Sequence, residues 1–257
     1  NIEYLMPPPT DDELHEINKI HPGAIGRPKI KPHHTTPTQS LIGGGSSPSF
    51  GEIGRAHLGL MILDELLEFS PTVINALRGP LEEGMVRLAR GRQVLTSKCQ
   101  SLVVATTNLC PCGIWTPGHV GRCRYSLRKC RSYSEKLAGP VLDRFAILAF
   151  VKASNKGPAV SLSGIHEKLK TVRQWQKQHH QNCSKLRQTP NQFLTEGEIN
   201  QGMDRLAKTF LIPSTGSSHR RRLALLRVAR SIADLEMSEL IYGPHIEKAC
   251  TFTVTNF

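Results

Sequence analysis

The sequence predicts an α/β domain with a mainly parallel sheet, followed by a separate helical domain. Three observations carry this. Leu60–Leu63 is a short unbroken apolar run ending in Asp64-Glu65, the pattern of a strand buried on both faces. Ser101–Thr107 and Ala146–Val151 repeat it, and Pro71–Glu83 places Val73, Ile74, Leu77 and Leu81 along one side of a helix between the first two. After Ser154-Asn155-Lys156-Gly157-Pro158 the pattern becomes helical, near residues 163–180, 195–210, 217–236 and 244–252. The expected domains are residues 1–152 and 153–257.

Residues 7–51 are broken by Pro7-Pro8-Pro9, Pro22, Pro28, Pro32, Pro37, Gly43-Gly44-Gly45 and Pro48, so loops and short extended pieces are expected there. Thr10–Ile20 is the exception. Thr10 can cap a helix, Asp11, Asp12 and Glu13 suit its positive end, and Leu14, Ile17 and Ile20 recur at helical spacing. Met85–Leu95 sets Val86 and Leu88 against Arg87, Arg90 and Arg92 around Gly91, which reads as a basic hairpin. In the second domain Leu225, Ala229, Ile232 and Leu235 share a helix face, and Pro244 suits a first helical position.

Of the 257 residues, 39% are apolar and 21% charged, which is globular composition. The apolar runs fall far short of the ~20 residues of a membrane helix. The first residues carry neither a basic nor an apolar leader region, and a cytoplasmic location is expected. A net charge of +12 favours polyanionic partners, and only 5% aromatic residues argues against base stacking as the main binding mode. Of seven cysteines, Cys110, Cys112, Cys123 and Cys130 are clustered, which suits thiols or metal ligands better than disulfides.

The strongest chemical signal is Asp64-Glu65 at the end of a buried strand, where open α/β sheets place ligands. In a nucleoside triphosphatase the first carboxylate holds Mg²⁺ and the second orients or deprotonates the attacking water. Asn108 follows the next strand, a neutral amide able to hydrogen-bond a γ-phosphate. Arg144 precedes the third strand and Arg220 opens a helix of the second domain. Arginine, planar and permanently charged, suits developing phosphoryl charge.

These residues stand within a longer series. It runs through Arg27-Pro28, Pro32-His33-His34-Thr35, Leu41-Ile42-Gly43-Gly44-Gly45, Gly51-Glu52-Ile53, Leu63-Asp64-Glu65-Leu66, Cys110-Pro111-Cys112-Gly113, Leu142-Asp143-Arg144-Phe145 and Val228–Leu235. In this it resembles the magnesium-chelatase branch of the AAA+ ATPases, specifically the ComM/YifB-like bacterial group. The resemblance implies a P-loop NTPase-type sheet with a helical lid, using ATP and Mg²⁺. It makes Asp64 and Glu65 the Walker B pair, Asn108 sensor 1, Arg144 an arginine finger toward a neighbouring subunit and Arg220 sensor 2. A ring, typically a hexamer, and coupling of hydrolysis to DNA branch migration follow from it, with Arg87, Arg90 and Arg92 as phosphate contacts. A chelatase motor subunit and an inactive regulatory or zinc-stabilised module are the rival readings.

The sequence contains no G-x-x-x-x-G-K-[ST], and Gly43-Gly44-Gly45-Ser46-Ser47 lacks the lysine and the following helix. By the resemblance the phosphate loop and first core strand lie just upstream, so this chain alone is expected to bind ATP poorly. Family members carry Cys-Pro-Cys-Gly and a further Cys-x-Cys, which suggests a structural zinc on Cys110, Cys112 and Cys123. Cys130 is favoured over His119 as fourth ligand, Tyr125 standing where the family has cysteine.

Overall fold

The structure, a computed structural model, describes residues 2–45, 49–90, 93–113, 124–137, 141–151, 161–179, 191–214 and 219–253. It divides into two compact units, Asn1–Arg144 and Phe145–Phe257.

The first unit is built around a parallel sheet of three strands in the order β1 (Lys29–Ile30), β4 (Leu60–Leu63), β7 (Leu102–Ala105). Leu60 lies beside Lys29 and Leu102, so β4 is central. Its Leu60, Met61 and Leu63 are buried, as an unbroken apolar run requires. Gly59 lets β1 come close: a Cβ there would sit 2.1 Å from the Pro28 carbonyl oxygen, which accepts the Leu60 N–H at 2.9 Å.

Helix α1 (Asp11–Ile20) starts at Thr10, whose hydroxyl takes the Glu13 N–H while Glu13 returns to the Thr10 N–H. This capping box satisfies two amides that have no partner within the helix. Short pieces occupy the Pro- and Gly-rich stretch: α2 (Thr38–Ile42), β2 (Gly43–Gly44) paired antiparallel with β3 (Ser49–Phe50), and α3 (Glu52–Arg55). Ile17 of α1, Leu41 of α2 and Ile53 of α3 join the strand side chains in the core.

Three expectations need correction here. The helix predicted over Pro71–Glu83 is two, α4 (Pro71–Ala76) and α5 (Arg78–Glu83). Pro80 has no N–H to offer the Ala76 carbonyl, and its ring opposes continuation. The strand predicted as buried over Ser101–Thr107 is, among the described residues, an edge strand, with Leu102 exposed and Val103, Val104 and Ala105 half-buried. The hairpin is longer than expected: β5 (Met85–Arg90) pairs with β6 (Gln93–Lys98), Arg90 opposite Gln93. Helix α6 (Leu127–Ser134) closes the unit's regular structure, capped by Ser126.

In the second unit α7 (Leu162–His179), α8 (Glu196–Gln201), α9 (His219–Leu235) and α10 (Gly243–Thr253) pack with a 3₁₀ segment, Ala207–Ser214. The core gathers Leu194, Ile199, Leu211, Leu226, Ala229, Ile241 and Ile246 among others. The strand expected over Ala146–Val151 is absent; Ile147, Phe150 and Val151 are exposed, and Leu148 N–H bonds the Phe252 carbonyl at 2.7 Å. An apolar run becomes a strand only where another strand supplies its ladder.

Candidate functional site

The C-terminal ends of β4 and β7 lie side by side and bring Asp64, Glu65 and Thr106 together. Thr106 N–H bonds the Leu63 carbonyl at 3.0 Å, and Leu66 N–H returns to the Thr106 carbonyl at 2.8 Å. This carries the pairing of the two strands past their ends. Glu65, between them, adopts the left-handed conformation at φ 54° and ψ 53°. The Thr106 hydroxyl donates to Asp64 Oδ1 and accepts the Glu65 N–H at 3.2 Å. A single side chain therefore fixes both carboxylate-bearing residues.

Lys31, one residue past β1, places Nζ 2.9 Å from Asp64 Oδ2. The Thr106 hydroxyl, and then Lys31, hold the Asp64 carboxyl below its ordinary range. Asp64 is half-buried and Glu65 exposed, so both carboxyl groups are open to solvent at the strand ends. Asn108 is exposed, two residues beyond Thr106. Neither Thr106 nor Lys31 was singled out from sequence. Thr106 was legible as a hydroxyl at the predicted strand's end. Lys31 was not, because a two-residue β1 leaves no periodic pattern.

Arg144 is held elsewhere on the unit. Its Nε donates to the Arg78 carbonyl at 2.9 Å, and its Nη2 lies 2.7 Å from Glu82 Oε2. The side chain is only 10% exposed, so these α5 contacts keep it largely covered. Arg220 belongs to the second unit, exposed at the start of α9. Of the hairpin arginines, Arg87 is exposed and 3.5 Å from Glu83; Arg90 is described by its backbone alone, and Arg92 lies outside the described residues.

Three of the four clustered cysteines lie together. Cys110 Sγ lies 2.9 Å from Cys112 Sγ and 3.4 Å from Cys130 Sγ. Among the described residues no group of three or more His, Cys, Asp or Glu is arranged to hold a metal, and the zinc expectation is not supported. Cys123 and His119 lie outside the described residues. None of Cys99, Cys110, Cys112, Cys130 and Cys250 is in a disulfide.

The Val228–Leu235 stretch also gains a physical account. Arg230 is fully buried, with Nε on Asp234 Oδ1 at 2.9 Å, Nη1 on the Glu239 carbonyl at 2.8 Å and Nη2 on the Ser238 carbonyl at 2.5 Å. Asp234 Oδ2 accepts from Gln176 and Asn191, each at 2.8 Å. This network ties the end of α9 to α7 and to the following turn.

Residues 1–159 match the family model described as Magnesium chelatase, subunit ChlI, and residues 161–253 that of its C-terminal part. The chain belongs to the magnesium chelatase family. It is similar to the uncharacterized protein YifB of Escherichia coli K12, 33% identical over 233 residues, covering 88% of this chain and 45% of that protein. It is also similar to competence protein ComM of Haemophilus influenzae, 32% identical over 235 residues, covering 87% and 44%. Rv2897c of Mycobacterium tuberculosis H37Rv is 31% identical over 252 residues, covering 90% and 49%. The chain spans about half the length of these curated relatives. Among the described residues no helix is long and apolar enough to cross a membrane.

Proposed function

We propose that this chain is part of an AAA+ ATPase motor of the ComM/YifB kind that couples ATP hydrolysis to DNA remodelling. The observation that carries the reading is the braced pair Asp64-Glu65 at the C-terminal end of a central parallel strand, where α/β nucleotide enzymes place their acidic residues. Asp64 is the Mg²⁺ residue. Its ionised oxygens suit a hard cation that keeps most of its waters and takes one or two carboxylates. When bound with ATP, Mg²⁺ neutralises charge on the phosphates. Glu65 orients or deprotonates the attacking water, and Asn108 bonds the γ-phosphate from the adjacent strand end.

Arg144 serves as the arginine finger and Arg220 as sensor 2 in this reading, with subunits arranged in a ring, typically a hexamer. Arg144 gives up its Glu82 partner to reach a neighbouring nucleotide. The outer edge of β7 can accept a further parallel strand, which supports an upstream strand and phosphate loop completing the sheet. In this reading Arg87, Arg90 and Arg92 contact DNA phosphates, and the net charge of +12 favours DNA.

A second reading, a motor subunit for magnesium insertion into a porphyrin, is favoured by the description of the matching family models. It requires a protein partner rather than a polyanion, so salt-dependent binding to branched DNA separates the two. The central test is Glu65→Gln in the full-length protein containing this chain. ATP hydrolysis is expected to fall by at least ~100-fold while nucleotide binding persists, because Asp64 is untouched. Undiminished turnover in that variant would remove Glu65 from the role.

A further inference from the structure

Helix α6 opens on cations that form no ion pair among the described residues. Arg124, Arg128 and Lys129 are all exposed around its first turn, which holds no acidic residue. Cations at that end are disfavoured by the helix dipole, so they are not there to stabilise the helix. Among the described residues neither Arg124 nor Arg128 has an acidic partner; Glu135, at the opposite end of the helix, lies beside Arg131 at 3.2 Å. Beside these cations lies an open hollow of about 430 Å³ whose wall includes Pro111, Arg128, Lys129, Ser132, Tyr133 and Lys136.

The hollow is held in place from below. Tyr133 donates its hydroxyl to Glu68 Oε1 at 2.7 Å, and Lys136 Nζ bonds the Leu67 carbonyl at 3.3 Å. Both acceptors belong to the turn that follows Glu65. Lys129 Nζ stands 4.1 Å over the exposed Tyr125 ring, which fixes its direction. Part of the ordering cost of binding is thus already met.

We propose that this face of α6 is a phosphodiester-binding surface, a second contact with the nucleic acid proposed above for the hairpin. It rests on that reading. A phosphate oxygen takes the guanidinium fork of Arg128, the ammonium of Lys129 and a serine hydroxyl together. A protein partner fits less well, because protein interfaces place apolar and aromatic anchors at their centre and exclude lysine from it. This hollow has Pro111 and Tyr133 in its wall, but three cations, Arg128, Lys129 and Lys136, and the hydroxyls of Ser126 and Ser132 stand around them.

The test is fluorescence anisotropy of the 257-residue chain with a short fluorescein-labelled single-stranded DNA, read across a salt series. Arg128→Gln/Lys129→Gln should weaken binding about tenfold at moderate salt and flatten the log–log salt slope by about 1.4, the share of two phosphate contacts on a single strand. Both positions are exposed and glutamine favours helices, so the variant is expected to keep its far-ultraviolet circular dichroism. Lys208→Gln, at an exposed lysine of the second unit, should bind as wild type. Wild-type affinity in the α6 variant, with loss in Arg87→Gln, would overturn the α6 surface and leave the DNA reading standing. Absence of any DNA binding by the unaltered chain would overturn both. Displacement of the DNA by poly-glutamate at equal charge concentration would make the surface one for acidic peptides and overturn the proposal.

Discussion

Two aspartates, one in each unit, show how the same side chain serves different ends. Asp234 is 2% exposed, paired with a fully buried arginine, and both of its oxygens are spoken for by groups from three segments. Asp64 is 48% exposed, and its partners are a hydroxyl and the tip of an exposed lysine. The first network has no place for a newcomer. The second presents an ionised carboxylate whose lysine can swing away for the few tenths of a kcal/mol typical of surface pairs. Stability is concentrated where water is excluded, and exchangeable charge is kept where water remains.

The largest way to break this contrast is Asp234→Ala. Removing one partner of a buried pair strands the Arg230 charge, and a loss of about 3–5 kcal/mol is expected. A denaturant titration read on helix signal should show the second unit melting early. A change below 1 kcal/mol would mean that the pair is not the tie described.

Thr106→Val should have a smaller stability effect, about 1–2 kcal/mol, since two hydrogen bonds at the strand ends are lost with little change in shape. The Asp64 carboxyl should titrate higher, because the bond that most favours its ionised form is gone. The sign follows from linkage. A carboxyl lowered in the folded state stabilises above its unfolded value of roughly 3.9, and that contribution disappears as pH falls through the lower folded value. The variant should therefore lose less stability on acidification, which carboxyl NMR and acid unfolding together can check.

Lys31→Ala should matter least for folding, under about 1 kcal/mol, because both groups are substantially exposed. The same substitution should again raise the Asp64 titration, by less than Thr106→Val does. A greater rise than in Thr106→Val would reverse the order of the two partners.

How far the sequence disclosed all this depends on what kind of pattern each feature leaves. The central strand β4 and three helices of the second unit follow from apolar runs and periodicity, which burial imposes directly, but the helix expected over 195–210 stops at Gln201 and gives way to a turn and the 3₁₀ segment Ala207–Ser214. The hairpin was legible in kind but extends to Lys98, beyond the residues that alternate most clearly. Ala146–Val151 misled, because an apolar run reports burial preference and not the presence of a strand to pair with. Asp64, Glu65 and Asn108 were found because strand ends announce themselves. Thr106 and Lys31 owe their importance to strand order, which a single sequence does not display. Arg230 and Asp234, four residues apart on one helix face, were visible within a family motif, but their burial was not.

Glu65 stands in a backbone region where a side chain meets its own following carbonyl, at a cost of roughly 1–2 kcal/mol relative to the right-handed form. Glycine would sit there without that cost and would leave the Thr106 brace intact, since the brace uses only the backbone N–H of this residue. The turn would then be more comfortable and chemically empty. At this position local comfort and the proposed reactivity pull in opposite directions, and a search for stabilised variants that scores folding alone would be drawn toward Glu65→Gly, erasing the carboxylate on which the proposed chemistry depends.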